Sequence, residues 1–270
     1  MSNAASFPNG RWLLCRPIDY DVRYKINPWM DTTIVPDTVR AAKQWQLLHH
    51  TLLRLGAWVE YIEQGTNVPD MVFTANGGLV CGGDVVIPKF RHAERQPEEA
   101  LFKTWFLERG YNAIELTSGA FEGEGDALFI GNILVGGYGF RTDEQIYDEL
   151  KAKLTVSEII KIHLVDPRFY HLDTCFCPLE GKTVLAFPDA FDAESKKTLA
   201  ERFEVIAVPA DDAARFVCNS VVLGKEVIMP AGCKETTAIL EARGFNVHPV
   251  PLDEFIKAGG AAKCLSLKIG

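Results

Sequence analysis

The sequence predicts an α/β fold made of five strand–strand–helix–strand repeats closed into a ring, and three observations carry that reading. Hairpin, helix and strand signals return in the same order along the chain. One polar position recurs at intervals of 45–50 residues. Strand-like segments at the two ends of the chain have no partner unless they pair with each other.

In the first clear unit, ANGGLVCGGDVVIPKF (75–90) reads as two short strands joined by Gly-Gly-Asp. ERQPEEALFKTWFLERG (94–110) follows with Pro97 and paired glutamates at its start, an apolar stripe, and Gly110 at its end, the signals of a helix. YNAIELT (111–117) is the closing strand. The next unit runs GDALFIGNILVGGYG (125–139), EQIYDELKAKL (144–154) and IIKIHLV (159–165). A third runs DTCFCPLEGKTVLAFP (173–188), ESKKTLAERF (194–203) and VIAVP (205–209). A fourth runs VCNSVVLGKEVIMP (217–230), KETTAILEARG (234–244) and NVHPVP (246–251). The fifth joins a last strand, CLSLKI (264–269), to RWLLCRPID (11–19) at the other end.

Composition bounds the function. A chain of 270 residues, 47% hydrophobic, can bury a sizeable core, and we read residues 1–270 as one domain, with 1–10 set aside as disordered or an expression scar. A net charge of −8 argues against a nucleic-acid surface and weakly favours a cationic small substrate. No apolar run approaches the ~20 residues of a membrane span, and MSNAAS is not a signal peptide. The seven cysteines lack paired CxxC spacing, so free thiols in a reducing, cytoplasmic setting are expected.

The recurring position is Asn76, Asp126, Asp173, Asn219 and Cys264. Asp and Asn are ordinary turn residues, and a lone cysteine is most often a buried structural one. Five positions in register around a ring, one of them a thiol, instead point to convergence at one end of a central channel. FEGEGDAL (121–128) adds Glu122 and Glu124 beside Asp126, and YHLDT (170–174) places His171 two residues before Asp173, facing the same way on an extended backbone. No HxH or HExxH spacing occurs, which favours a cysteine nucleophile with a histidine proton carrier over a metal site. Carboxylates beside a thiol suppress the thiolate, so such a site works best when the substrate brings positive charge. A guanidinium fits, being planar, permanently charged and suited to bidentate pairing.

DMVFTAN (70–76), FEGEGD (121–126), FRTD (140–143), HLDT (171–174) and GGAAKCLSL (259–267) together resemble the guanidino-group-modifying enzymes of the pentein superfamily. The resemblance implies a five-bladed αβ-propeller, a metal-free and cofactor-free hydrolase, and a small guanidino substrate, with a homo-oligomer possible and neither nucleic acid nor membrane as partner. It implies Cys264 as nucleophile, His171 as general acid/base, and Glu122 or Glu124 as the catalytic carboxylate, Glu122 being preferred. Glu122 would grip the guanidinium, with Asp173 as the second carboxylate, and Arg141 would bind the substrate α-carboxylate. Asp70, Asn76, Asp126 and Asn219 join the expected substrate pocket. YKINPWM (24–30) with DMVFTAN is similar to the arginine dihydrolase branch, which adds Asn27. The departure FTAN, where deiminases show FTRD, puts a neutral amide in place of a guanidinium-binding aspartate. The expected activity is therefore conversion of arginine to ornithine, carbon dioxide and ammonia. Arginine deiminase and dimethylarginine dimethylaminohydrolase are the enzyme alternatives, an amidinotransferase is disfavoured by length, and a propeller acting only as a binding module is the non-enzymatic one.

Overall fold

The structure, a computed structural model, describes residues 9–270. The expectation for MSNAAS lies outside the described residues. The chain opens with β1 (Arg11–Cys15), helix α1 (Thr38–Arg54) and β2 (Trp58–Ile62). Asp37 caps α1 by accepting from the Arg40 amide at 2.9 Å, and the helix buries Trp45, Leu48 and Leu52 on one side. This helix and β2 complete the fifth unit, adding a third strand to the two expected from the sequence.

Four units then repeat one plan. The first has β3 (Leu79–Cys81), β4 (Asp84–Val86), α2 (Pro97–Glu108) and β5 (Asn112–Ile114). The second has β6 (Ala127–Ile130), β7 (Ile133–Tyr138), α3 (Ile146–Lys153) and β8 (Glu158–His163). The third has β9 (Phe176–Pro178), β10 (Thr183–Ala186), α4 (Ala193–Arg202) and β11 (Glu204–Ala207). The fourth follows a short helix α5 (Ala210–Ala213), with β12 (Val221–Leu223), β13 (Glu226–Pro230), α6 (Lys234–Ala242) and β14 (Asn246–Val250). After α7 (Asp253–Ile256), β15 (Leu267–Lys268) returns to β1.

The result is a mixed α/β fold of five three-stranded sheets. In each, the middle strand has one antiparallel and one parallel neighbour, and the helix forms the parallel crossover. The pairing of the two ends is as expected, with Trp12 opposite Lys268 and Leu13 opposite Leu267. Middle strands carry continuous apolar runs, such as Val184-Leu185-Ala186 and Val227-Ile228-Met229, all fully buried. Each such Leu or Ile contributes roughly 1.5–3 kcal/mol. Apolar clusters join consecutive sheets: Leu13 and Ile62 meet Val85 and Phe102, and Val86 meets Leu134. One cluster runs through Val135, Val184 and Val227, and another brings Ile228 to Leu14. Among the described residues no helix is long and apolar enough to cross a membrane.

Two local expectations need correction. The recurring polar residues precede the strands rather than starting them. Asn76, Asp126 and Asp173 sit in or at the end of short 3-10 turns, Thr74–Gly77, Gly123–Gly125 and Leu172–Thr174. Cys264 likewise lies on a turn three residues ahead of β15. His171 is extended (φ −122°, ψ 152°), but Asp173 is inside the turn, so the two do not share an extended backbone. From these turns the Asn76 and Asp126 side chains bond the backbone of the next unit, at the Glu122 carbonyl and the Leu172 amide, while Asp173 meets the Cys264 thiol.

Candidate active site

Asn76, Asp126, Asp173, Asn219 and Cys264 are all buried, and hydrogen bonds link them in succession. Asn76 Nδ2 donates to the carbonyl of Glu122 at 3.0 Å. Asp126 Oδ1 accepts the Leu172 amide at 3.0 Å. Asn219 Nδ2 donates to the carbonyl of Asp173 at 3.1 Å, and the Ala75 amide donates to the carbonyl of Cys264 at 3.1 Å. The glycines of FEGEGD are required by this packing. Gly123 has φ +61°, and a Cβ there would meet three carbonyl oxygens of the neighbouring turn at 2.7–2.9 Å. A Cβ on Gly125 would lie 2.3 Å from Asn76 Nδ2 and 3.3 Å from the His171 ring.

The thiol is held tightly. Asn219 Oδ1 accepts the amides of Ala261 and Cys264 at 2.9 and 3.0 Å, and its Nδ2 lies 3.0 Å from Cys264 Sγ. Sγ is 3.3 Å from Asp173 Oδ2. Burial and the neighbouring Asp173 carboxyl push the thiol well above its ordinary pKa. Burial likewise pushes Asp173 up to about 7, against the opposing pull of Lys263. Burial and Asp173 together favour the neutral Cys264 thiol over the thiolate.

Glu122 and Glu124 face different partners. Glu122 Oε2 accepts from His171 Nε2 at 2.7 Å and from Arg141 Nη1 at 2.9 Å, and Oε1 accepts the Arg91 amide at 3.3 Å. Burial alone would raise Glu122, but Arg141 and His171 outweigh it and hold the carboxyl far below the usual carboxylate range. Burial lowers His171 to about 4 despite Glu122, so the imidazole is neutral. Its Nδ1 has no partner. Glu124 instead pairs with Lys263 at 2.8 Å. Asp126 lies 4.0 Å from His171 Nε2, its Oδ2 is without a partner, and burial pushes it well above the ordinary range.

Arg141 has three partners, the first being Glu122. It is 3% exposed, its Nη2 donates to the Ile26 carbonyl at 2.9 Å, and its guanidinium stacks 4.6 Å from the Tyr170 ring centre. Asn76 is also fully engaged, since its Oδ1 accepts from Arg95 Nη1 at 2.7 Å. Asp70 Oδ2 accepts the Tyr24 hydroxyl at 3.0 Å, while the buried Oδ1 has no partner. Asn27 makes a local turn, accepting the Trp29 amide at 2.9 Å and donating to Ala258 O at 3.0 Å. Asn27, Asp70, Asn76, Arg141 and Cys264 line one cavity of about 10 Å³, scarcely room for one water.

Arg95 was missed by sequence reasoning. It is buried against Asn76 and held by Glu98 through two bonds of 2.9 and 2.8 Å. In ERQPEE it reads as a solvated charge at a helix start. The signal that could have found it is the pair Arg95/Glu98 at i,i+3, but that spacing is common on exposed helices.

The family model described as eukaryotic N,N dimethylarginine dimethylhydrolase matches residues 32–269. The chain belongs to this family. Among dimethylarginine dimethylaminohydrolase relatives, a protein of that name from Mycobacterium tuberculosis is 40% identical over 260 residues, covering 96% of this chain and 85% of its own. The bifunctional arginine dihydrolase/ornithine cyclodeaminase ArgZ of Synechocystis is 46% identical over 266 residues. That match covers 96% of this chain but only 37% of the relative, so the chain spans little more than a third of that protein's length. The solved N-terminal domain of an ArgZ variant, covalently bound to a reaction intermediate, superposes with a TM-score of 0.94. It is 44% identical, and the match covers 97% of this chain and 98% of that domain.

Proposed function

We propose that this chain is a cysteine hydrolase of the guanidinium of arginine, an arginine dihydrolase, acting as one domain whose five sheets close into an αβ-propeller. The apolar clusters that join each sheet to the next, and the fifth back to the first, support closure. The observation that carries the activity is two buried pairs, Cys264 with Asp173 and His171 with Glu122, with Cys264 and the Glu122 partner Arg141 lining one cavity. A reducing, cytoplasmic setting suits seven free cysteines.

The substrate guanidinium lies between Asp173 and Glu122. Its charge favours the Cys264 thiolate, which burial and Asp173 disfavour. Sγ attacks the guanidino carbon, and the proton lost by the thiol is returned through His171 to the departing nitrogen, which leaves as ammonia. A covalent amidino-thioether remains. His171 then takes a proton from water, the hydroxyl adds to the carbon, and the thiolate leaves, giving a ureido product. In a second round Sγ attacks the ureido carbon and a second ammonia departs. Water releases a carbamate, which breaks down to ornithine and carbon dioxide. The balance is arginine plus two waters giving ornithine, carbon dioxide and two ammonia. No cofactor or metal enters the scheme.

The test is product analysis. Arginine should yield ornithine with two ammonia per turnover, and citrulline as the sole product would overturn the dihydrolase reading. Hydrolysis of dimethylarginine is the second reading, favoured by the family match. Release of dimethylamine from dimethylarginine, with arginine untouched, would establish it instead.

A further inference from the structure

A cavity of about 550 Å³ lies apart from the thiol and shares no lining residue with the small one that Cys264 lines. Each of the five sheets sends the antiparallel edge strand to its wall: Val80 on β3, Leu128 on β6, Phe176 on β9, Val222 on β12 and Lys268 on β15. Its polar floor is Lys263 and Glu124, both more than nine-tenths buried. Lys263 Nζ donates to Glu124 Oε2 at 2.8 Å and to the Ser266 carbonyl at 3.2 Å, and Oε2 also accepts the Lys268 amide at 3.2 Å. An ammonium carries three N–H donors. Among the described residues, the third N–H of Lys263 and the Oε1 of Glu124 have no protein partner. Neighbours in the chain thus serve different cavities, Cys264 the small one and Lys263 this one.

A buried donor beside a buried acceptor, in an apolar-walled cavity of ligand size, calls for a molecule with both charges on neighbouring atoms. A plain anion would confront Glu124, and a plain cation would confront Lys263. We propose that this cavity binds a small α-amino acid with an apolar side chain. Its carboxylate accepts from Lys263, its ammonium donates to Glu124 Oε1, and its side chain lies among Leu128, Phe176 and Val222. Lys268 is the one charged residue among the five wall positions, and its exposed ammonium biases the mouth toward the carboxylate end. Glu180, at the same mouth, is already paired with Lys225. The site is independent of which guanidine reacts at Cys264, although its floor is one residue away from the nucleophile in the chain.

Calorimetry on the unmodified protein measures binding of L-phenylalanine and L-leucine, each beside the analogue lacking its amino group and the analogue lacking its carboxyl group. At least one amino acid should bind saturably, and both of its analogues should bind about tenfold more weakly or worse, since each loses one charge-assisted contact. Failure of both amino acids to bind, or an analogue that binds as tightly as its parent, overturns the proposal. Two variants locate the ligand. Lys268→Glu reverses the charge of an exposed side chain without touching the core, and should weaken the amino acid about tenfold. Leu179→Trp fills the cavity from one wall and should abolish binding. Unchanged affinity in Lys268→Glu, which does not depend on repacking, places the ligand elsewhere and overturns the proposal. None of these readouts uses turnover, so the outcome is separate from that of product analysis with arginine.

Discussion

Replacing Asn219 by Ala tests how the nucleophile is held. The side chain makes four contacts: it accepts from the Ala261 and Cys264 amides and donates to Asp173 O and to Cys264 Sγ. Removing it orphans two buried N–H groups at about 1–3 kcal/mol each, so a loss of roughly 2–6 kcal/mol in unfolding free energy is expected. The lower end applies if water enters the space left behind. The sulfur also loses a donor. That hydrogen bond lowers the thiol pKa, so its loss should raise it further. Urea unfolding reads the first effect. The second is read from the pH dependence of alkylation at Cys264 by iodoacetamide, located by peptide mapping. Asn219→Asp separates them, since it keeps both accepted amide bonds but sets an anion beside the sulfur. It should lose less stability than Asn219→Ala and shift alkylation further to high pH. Alkylation of Asn219→Ala with the unmodified pH profile would refute the argument.

Cys264→Ser should abolish turnover while the fold persists, and acid quenching of the unmodified enzyme with arginine should reveal an adduct on the peptide carrying Cys264. Asp173→Asn removes the carboxyl that raises the thiol, so alkylation of the ligand-free enzyme at pH 8 should speed up while arginine turnover falls. The same variant carries a stability signature. Asp173 titrates near 7 in the folded chain and near 3.8 unfolded, so the native state holds the extra proton between these values and the group costs stability as pH rises through the window. The stability of Asp173→Asn relative to the unmodified protein should therefore climb from pH 4 to pH 7 and then level off in urea titrations. Asn76→Asp turns the donor toward the Glu122 carbonyl into an acceptor and forms an ion pair with Arg95. Chromatography should then show the product shifting from ornithine toward citrulline, and an unchanged product ratio would remove Asn76 from the second hydrolysis.

The repeat was legible because each unit is specified locally. Gly-Gly-Asp between short apolar runs, Pro97 followed by Glu98 and Glu99, and glycines such as Gly110 after the helices are all short-range signals. The five-position recurrence was legible for the same reason, and it led to Asn219, whose four bonds could not have been guessed. What sequence could not supply was partner choice. Glu122 and Glu124 are two residues apart on one tight turn, and only Lys263 and His171, far along the chain, separate their roles. Nothing local reveals the bond of Arg141 to Glu122. Strand lengths were overestimated because Asn76, Asp126 and Asp173 lie in or at the end of 3-10 turns ahead of their strands.

The strand pair that unites the two ends of the chain has a temporal meaning. During synthesis β1 and β2 emerge together with α1, yet the antiparallel neighbour of β1 is made after all the other strands described above. Until then Trp12 and Leu13 offer an open strand edge, the kind of surface on which nascent chains stick to one another. The segment that seals this edge also carries the Cys264 turn, three residues upstream of β15. Protection from aggregation and possession of the nucleophile thus arrive in one docking event, and a chain that has not finished closing its first sheet holds no assembled thiol to react.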